Sequence, residues 1–229
     1  MRQDAWKMDG LTGEQRACVA AYWWQRAQGE ITSWVGFQHV LDDLRAERAA
    51  PAVLALAERA VNDEYQHAQF CREWAMHFGH PGGELVPRGT RPRAFHGASE
   101  IENRLLRITL CCFNETIGCV VLRHVRPTLT LPELRELNRR HSADELQHSR
   151  VGWAHLATLT EEQRVFLRAW LPALLRISER SWCGGNELER EELVPFGYFS
   201  LRLLRAAYEE AVQSLILPGL QHLGITSAA

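Results

Sequence analysis

Four stretches of this chain read as long helices, and the buried seam of each is interrupted by a glutamate; no other feature constrains the fold as much. Punctuation sets the helices at roughly 13–48, 51–78, 99–127 and 131–157. Thr12 with Gln15, Ser99 with Glu102, Thr130 with Glu133 and Thr160 with Gln163 have capping-box spacing. Pro51 separates the first two helices, and Gly79 followed by His80-Pro81-Gly82-Gly83 closes the second. The first seam reads Trp23, Ala27, Glu30, Trp34, Phe37, Leu41, Leu44; the second Val53, Ala57, Ala60, Glu64, His67, Cys71, Trp74, Phe78. The third reads Ile101, Leu105, Ile108, Cys112, Glu115, Cys119, Leu122; the fourth Leu134, Asn138, His141, Glu145, His148, Gly152, His155. Spacings of three and four are those of a helical bundle. Nothing alternates with a period of two, so the expected fold is all-α.

Beyond the bundle, a fifth helix is expected at about 161–181, bent or broken near Pro172, and a sixth at about 197–217, ending at Pro218-Gly219. Cys183-Gly184-Gly185-Asn186 opens the loop between them, and 80–98 is the one long loop, its Arg88, Arg91 and Arg93 read as solvated. With 229 residues, one domain (1–229) is the default. A formal charge of −2 with 46% hydrophobic residues points away from nucleic acid and from disorder. No apolar run reaches the roughly 20 residues of a membrane span. The polar N-terminus, with Trp6 its only large ring, is not a secretory signal, so a cytoplasmic protein is expected. Six cysteines without a CxxC pair fit a reducing compartment and argue against an attached rubredoxin-type iron site.

Burying an unpaired carboxylate costs several kcal/mol, and four facing one another also repel. No seam position carries a Lys, and Arg26 is the one nearby Arg. Divalent cations are the natural compensation. Glu64-Tyr65-Gln66-His67 and Glu145-Leu146-Gln147-His148 are both Glu-x-x-His, which puts two ligands on one helix face. Glu30 and Glu115 lie 34 and 30 residues before these motifs, so the order Glu, Glu-x-x-His occurs twice. A Glu from each of two helices with Glu-x-x-His from two others is the ligand set of ferritin-like di-iron and di-manganese proteins. A ferritin-like four-helix bundle with additional C-terminal helices is therefore expected, holding two iron ions, with manganese possible. Glu30 is placed by spacing and as the only acid on its seam between Ala17 and Asp42. His141 sits one turn before Glu145, where the first half has Ala60.

His141-x-x-x-Glu145-x-x-His148 resembles the signature of the para-aminobenzoate N-oxygenase family. Asn114-Glu115-Thr116-Ile117-Gly118 and Asp63-Glu64-Tyr65-Gln66-His67-Ala68 are similar to two further segments of that family. The likeness covers about residues 30–150; the chain is shorter than those enzymes, and around Glu30 only the spacing agrees. It implies a di-iron cluster with His141 as an extra ligand, and O2 as co-substrate. It also implies oxidation of a small-molecule (aryl)amine in secondary-metabolite biosynthesis, an external electron donor and a homodimer. Asp63 and Asp144 precede the ligand glutamates, about 100° around the helix. Metal-bound His donates its free ring N–H to an acceptor, so Asp63 is expected to serve His148 and Asp144 to serve His67. The alternative is that both are ordinary surface acids. Cys112, Gly118 and Cys119 leave space beside Glu115, where Trp34 and Phe37 could hold an aromatic ring or be plain core. C–H hydroxylation on the same cluster, and a bacterioferritin-like ferroxidase or iron-storage role, stay open as alternatives.

Overall fold

The computed structural model of the protein describes residues 10–185 and 189–226; Trp6 and Asn186 lie outside them. The described residues form helices α1 (Gly13–Ala46), α2 (Pro51–His77), α3 (Glu100–Val125), α4 (Pro132–Leu156), α5 (Glu161–Cys183), α6 (Leu201–Ala211) and α7 (Leu217–His222), with no strand among them. Short 3-10 turns occupy Arg126–Thr128 and Glu191–Phe196.

Local chemistry fixes most helix starts. Thr12, Ser99 and Thr160 each form a full capping box, and Pro51 opens α2, where its missing N–H costs nothing. The box expected at Thr130 and Glu133 does not form. Helix α4 begins at Pro132 behind Leu131, and Thr130 instead donates its N–H and hydroxyl to the Pro195 carbonyl, at 3.0 and 3.2 Å. A tertiary acceptor has displaced the local cap.

Helices α1 and α2 make one hairpin and α3 and α4 another, with α1 against α3 and α2 against α4 completing the bundle. Cross-links set the register. Asp43 meets Arg107 and Glu47 meets Arg104, while Asp63 meets His148 and His67 meets Asp144, so both inter-hairpin contacts run antiparallel. Helices α2 and α3 must then run parallel, and residues 78–99 have to travel the length of the bundle between them. This connection is tied down along its way. His80 stacks on Trp24 at 4.4 Å, Gln28 bonds the backbone of Glu84 and Val86, and Thr32 accepts from Arg88 N. Further on, Arg107 donates to Arg93 O and Asn103 accepts from Phe95 N. Arg88, Arg91 and Arg93 are exposed.

Three expectations change. Ile101 is 61% exposed rather than in the seam, because Arg104 already meets Glu47 beyond the last turn of α1. Helix α5 passes through Pro172 unbroken; Pro172 and Arg168, whose carbonyl loses its donor, both lie on the exposed side. The last helix starts at Leu201 and does not stop at Pro218. A π-helical turn, Val212–Ile216, precedes that proline, and the chain coils on through α7. The wider turn accommodates a residue with no N–H to give, and Ile216 and Leu220, both fully buried, hold α7 against the core.

Helix α3 is covered on nearly every side, by α1, α4, α5 and α6. Contrary to the sequence reading, Glu100–Thr128 is long and apolar enough to cross a membrane, but 78% of its most apolar window is buried inside the fold. A helix apolar all round is what a central position requires. One apolar cluster runs from Val19 in α1 to Ile225 and includes the C-terminal helices; a smaller one (Leu44, Val53, Ile108, Val151) packs the other end. Gly152 lets α3 and α4 close up, since a Cβ there would sit 2.2 Å from Cys112 Cβ.

Candidate metal centre

A layer of acids and imidazoles crosses the bundle between these clusters. Glu64, His67, Glu145 and His148 are each at most 6% exposed, and His141 is 7% exposed. Two groups have ligand atoms within 4.8 Å of one another: Glu64, His67, Glu145 and His148, and Glu30, His67, His141 and Glu145. The groups share His67 and Glu145. Glu115 stands beside them, Oε2 3.5 Å from His148 Nδ1. All seven residues expected as ligands thus converge. They meet across helices as well as within a motif: Glu64 Oε1 is 3.0 Å from His148 Nδ1 and Glu145 Oε1 is 3.7 Å from His67 Nδ1, while Glu145 Oε2 is 3.8 Å from His148 Nδ1 of its own motif.

His67 and His148 are oriented alike. Each Nε2 lies 3.4 Å from a carboxylate on the facing helix, Asp144 Oδ2 for His67 and Asp63 Oδ2 for His148. Arg59 joins the two acids, at 3.3 Å from each. Each Nδ1 points into the layer and makes no hydrogen bond, and neither does Glu64 Oε2; His148 Nδ1 is near Glu64 without the in-line geometry one requires. Two buried ring nitrogens and a carboxylate oxygen without partners, converging on one place, fit a cation held there.

His141 lies against the same group. Its Nε2 is 2.8 Å from Glu145 Oε1 and 3.9 Å from Glu30 Oε1, and its ring is 3.9 Å from that of His67. Glu30, at 16% side-chain exposure, also lies 3.9 Å from Arg26 and from Cys71 Sγ.

Electrostatics match the crowding. Burial, with Glu145 and Glu30 adding repulsion, pushes the Glu64 carboxyl up to about 7. Burial, then the Glu115 charge, pushes Glu145 well above the carboxylate range, and burial raises Glu115. Burial works against protonation of His67 and His148, but Asp144 and Asp63 with the facing glutamates outweigh it and hold both raised. His141 is driven well below its ordinary value by burial and by the positive charges of His67, Arg26 and His148. That favours the neutral imidazole, the form that ligates metals, although Nε2 is engaged with Glu145 as the structure stands.

The residues expected to form an aromatic pocket are placed differently from one another. Phe37 packs edge-on against the His148 ring at 5.2 Å, whereas Trp34 turns outward onto the exposed Tyr65. Cys112 is filled in by the close approach at Gly152, and Cys119 is half-buried. Above Gly118 the space is bounded by Glu145 Oε2 at 3.5 Å and by the Trp182 ring at 3.7 Å from where a Cβ would be. Trp182, on α5, carried no sequence signal, because nothing in its own helix marks the approach to Glu145. None of the five residues lines the cavity beside His141. That cavity, of about 10 Å³, is walled by Trp23, Arg26, Leu134, Asn138 and Phe199. That is room for about one water. Arg26 is clamped there between the Trp23 and Phe199 rings, 4.5 and 4.4 Å from their centroids. Arg26 and Asn138 were visible in the sequence as seam neighbours, but their meeting with Phe199 was not.

Comparison of the chain with protein-family models, with curated proteins and with solved structures returns no match.

Proposed function

We propose that this protein is a non-haem di-iron oxygenase that uses O2 to oxidise the nitrogen of a small (aryl)amine. The observation that carries the reading is the convergence of two Glu-x-x-His motifs, Glu30 and Glu115, with His141 as an additional imidazole 2.8 Å from Glu145. A plain ferroxidase or storage site is complete without that third histidine. His67 and His148 would each give Nδ1 to a metal ion while Asp144 and Asp63 hold the opposite ring nitrogen, which fixes tautomer and orientation. Glu64, Glu115, Glu145 and Glu30 would supply the oxygen ligands. When bound in the ferrous state, two iron ions would supply two electrons to O2, so that one oxygen atom could pass to the amine nitrogen and the other leave as water.

The chain's own residues set the conditions for that chemistry. Phe37 and the tight α3–α4 contact at Gly152 keep water from the layer. Arg26 places a buried positive charge against Glu30, and the raised carboxyls release protons as cations enter. His141, kept neutral, adds a donor on the side of the cavity.

Anaerobic titration with ferrous iron should saturate near two ions per chain. Addition of O2 and an arylamine should then yield an N-oxygenated product by mass spectrometry. His141→Ala should keep much of the iron and lose amine oxidation, whereas His67→Ala and His148→Ala should lose iron. A protein that binds no metal would overturn the reading. One that only oxidises and mineralises iron, with His141→Ala indistinguishable from the parent, would favour storage.

A further inference from the structure

The proposed reaction consumes electrons, and the site lies behind helices: His67 and His148 are 2% and 1% exposed. A donor must therefore work through a surface close to a ligand. Among the expected ligands on α2, α3 and α4, His141 lies nearest the start of its helix, only nine positions after Pro132. The turn between α3 and α4 thus joins two helices that each carry an expected ligand within ten positions of it, Glu115 before Val125 and His141 after Pro132.

That turn is strongly basic. The segment Arg123-His-Val-Arg126-Pro127 to Arg135-Glu-Leu-Asn-Arg139-Arg140 brings five exposed arginines together in a chain whose formal charge is −2 and whose one lysine is Lys7. Arg123, Arg126, Arg135, Glu136 and Arg139 line one open cleft there. Two carboxylates offset them in part: Glu210 bonds Arg123 and His124, and Glu136 bonds Arg139 and Arg140. Arg126 and Arg135 have no ion pair among the described residues. The surface is also preformed. Pro127 and Pro132 flank the turn, Arg135 Nε bonds Leu129 O at 2.6 Å, and Thr130 is fastened to Pro195. Arg135 and Arg139 stand two turns or less before His141 on the same helix, within about 9 Å of helix rise.

We propose that this cleft is the docking surface for a small acidic electron-transfer protein, a proposal that rests on the oxygenase reading above. Arginine forks pair bidentately with surface carboxylates, and a localised positive field orients an acidic partner before contact. With iron bound, each encounter would pass one electron from the partner's one-electron centre, which is oxidised, to a ferric ion, which is reduced to ferrous, and two encounters would reduce both ions. The contact belongs with small, transient redox interfaces rather than permanent ones.

The test uses a plant-type [2Fe–2S] ferredoxin as the acidic probe, titrated calorimetrically into the full chain, metal-free and iron-loaded. Saturable one-to-one binding is expected in both forms, weakening as salt shortens the screening length from about 30 Å at 0.01 M to about 8 Å at 0.15 M. Arg126→Glu/Arg139→Glu should weaken it at least about tenfold, the effect of about 1.4 kcal/mol. Arg88→Glu/Arg91→Glu, with the same change in charge on the 78–99 connection, should not. Reduction of bound ferric iron by reduced ferredoxin should slow in the cleft variant while reduction by dithionite stays unchanged. Absent binding, equal losses in the two variants, a parallel loss with dithionite, or tighter binding of a single-stranded oligonucleotide at this cleft would each overturn the proposal. Cleft-dependent reduction without any amine oxidation would support the docking surface and count against the oxygenase reading.

Discussion

Replacing Glu64 with Gln should make the metal-free protein more stable while impairing its hold on metal. Glu64 is 1% exposed, with one carboxylate oxygen 3.0 Å from His148 and the other without a hydrogen bond. Its carboxyl is raised from 4.5 to about 7. Between those values the folded chain holds a proton that the unfolded chain has released. The stability this group contributes is fully present below pH 4.5 and is lost as pH rises through 7. A shift of that size corresponds to about 3 kcal/mol at pH 8. Gln keeps the shape and removes the charge, but His148 loses an acidic neighbour, so a net gain of about 1–3 kcal/mol is expected at pH 8 and little at pH 4.5. For a chain of this length that is a rise in Tm of roughly 2–12 °C. Thermal unfolding followed by circular dichroism on EDTA-treated protein reads it directly. Adding ferrous iron anaerobically should then raise the parent's Tm more than the variant's. A variant less stable than the parent at pH 8, or a gain equal at both pH values, would refute the electrostatic reasoning.

Asp63→Asn and Asp144→Asn should each weaken metal binding about 10–100-fold without unfolding the chain, as an isothermal titration would show, because each acid fixes the ring of the histidine opposite. Gly152→Ala should cost about 1–3 kcal/mol, read from denaturant midpoints, since its Cβ would fall 2.2 Å from Cys112 Cβ. Arg107→Met should destabilise by about 3–5 kcal/mol at neutral pH, because Arg107 makes two bonds of 2.6 and 2.7 Å to the buried Asp43; the double variant with Asp43→Leu should recover much of that loss.

Local signals were legible wherever the cause was local. Thr12, Ser99 and Thr160 cap helices through residues three positions away, and the seam glutamates stand out because they break an apolar period. The same reasoning failed at Thr130, at Ile101 and beyond Pro218, where a partner distant in sequence, the end of a neighbouring helix or a π turn made the decision. The aromatic neighbours of the site were only partly legible. Trp34 and Phe37 share a seam by spacing, yet one faces Tyr65 and the other His148, since about 60° around the helix separates them and packing decides which of the two turns inward.

The chain by itself determined that four helices would meet around acids and imidazoles, because a period of three and four fixes which side chains share a face, and buried carboxylates need a counter-charge. It could not determine which atoms meet. The pairing of Glu64 with His148 rather than with its own His67, the arrival of Trp182 over Gly118 and the clamp of Trp23 and Phe199 on Arg26 all depend on the antiparallel register between helices. That register is set by packing across the bundle, by Asp43 on Arg107 and by the long crossover, which are contacts between residues far apart in the chain. Periodicity chooses the face; only tertiary packing chooses the height at which two faces meet.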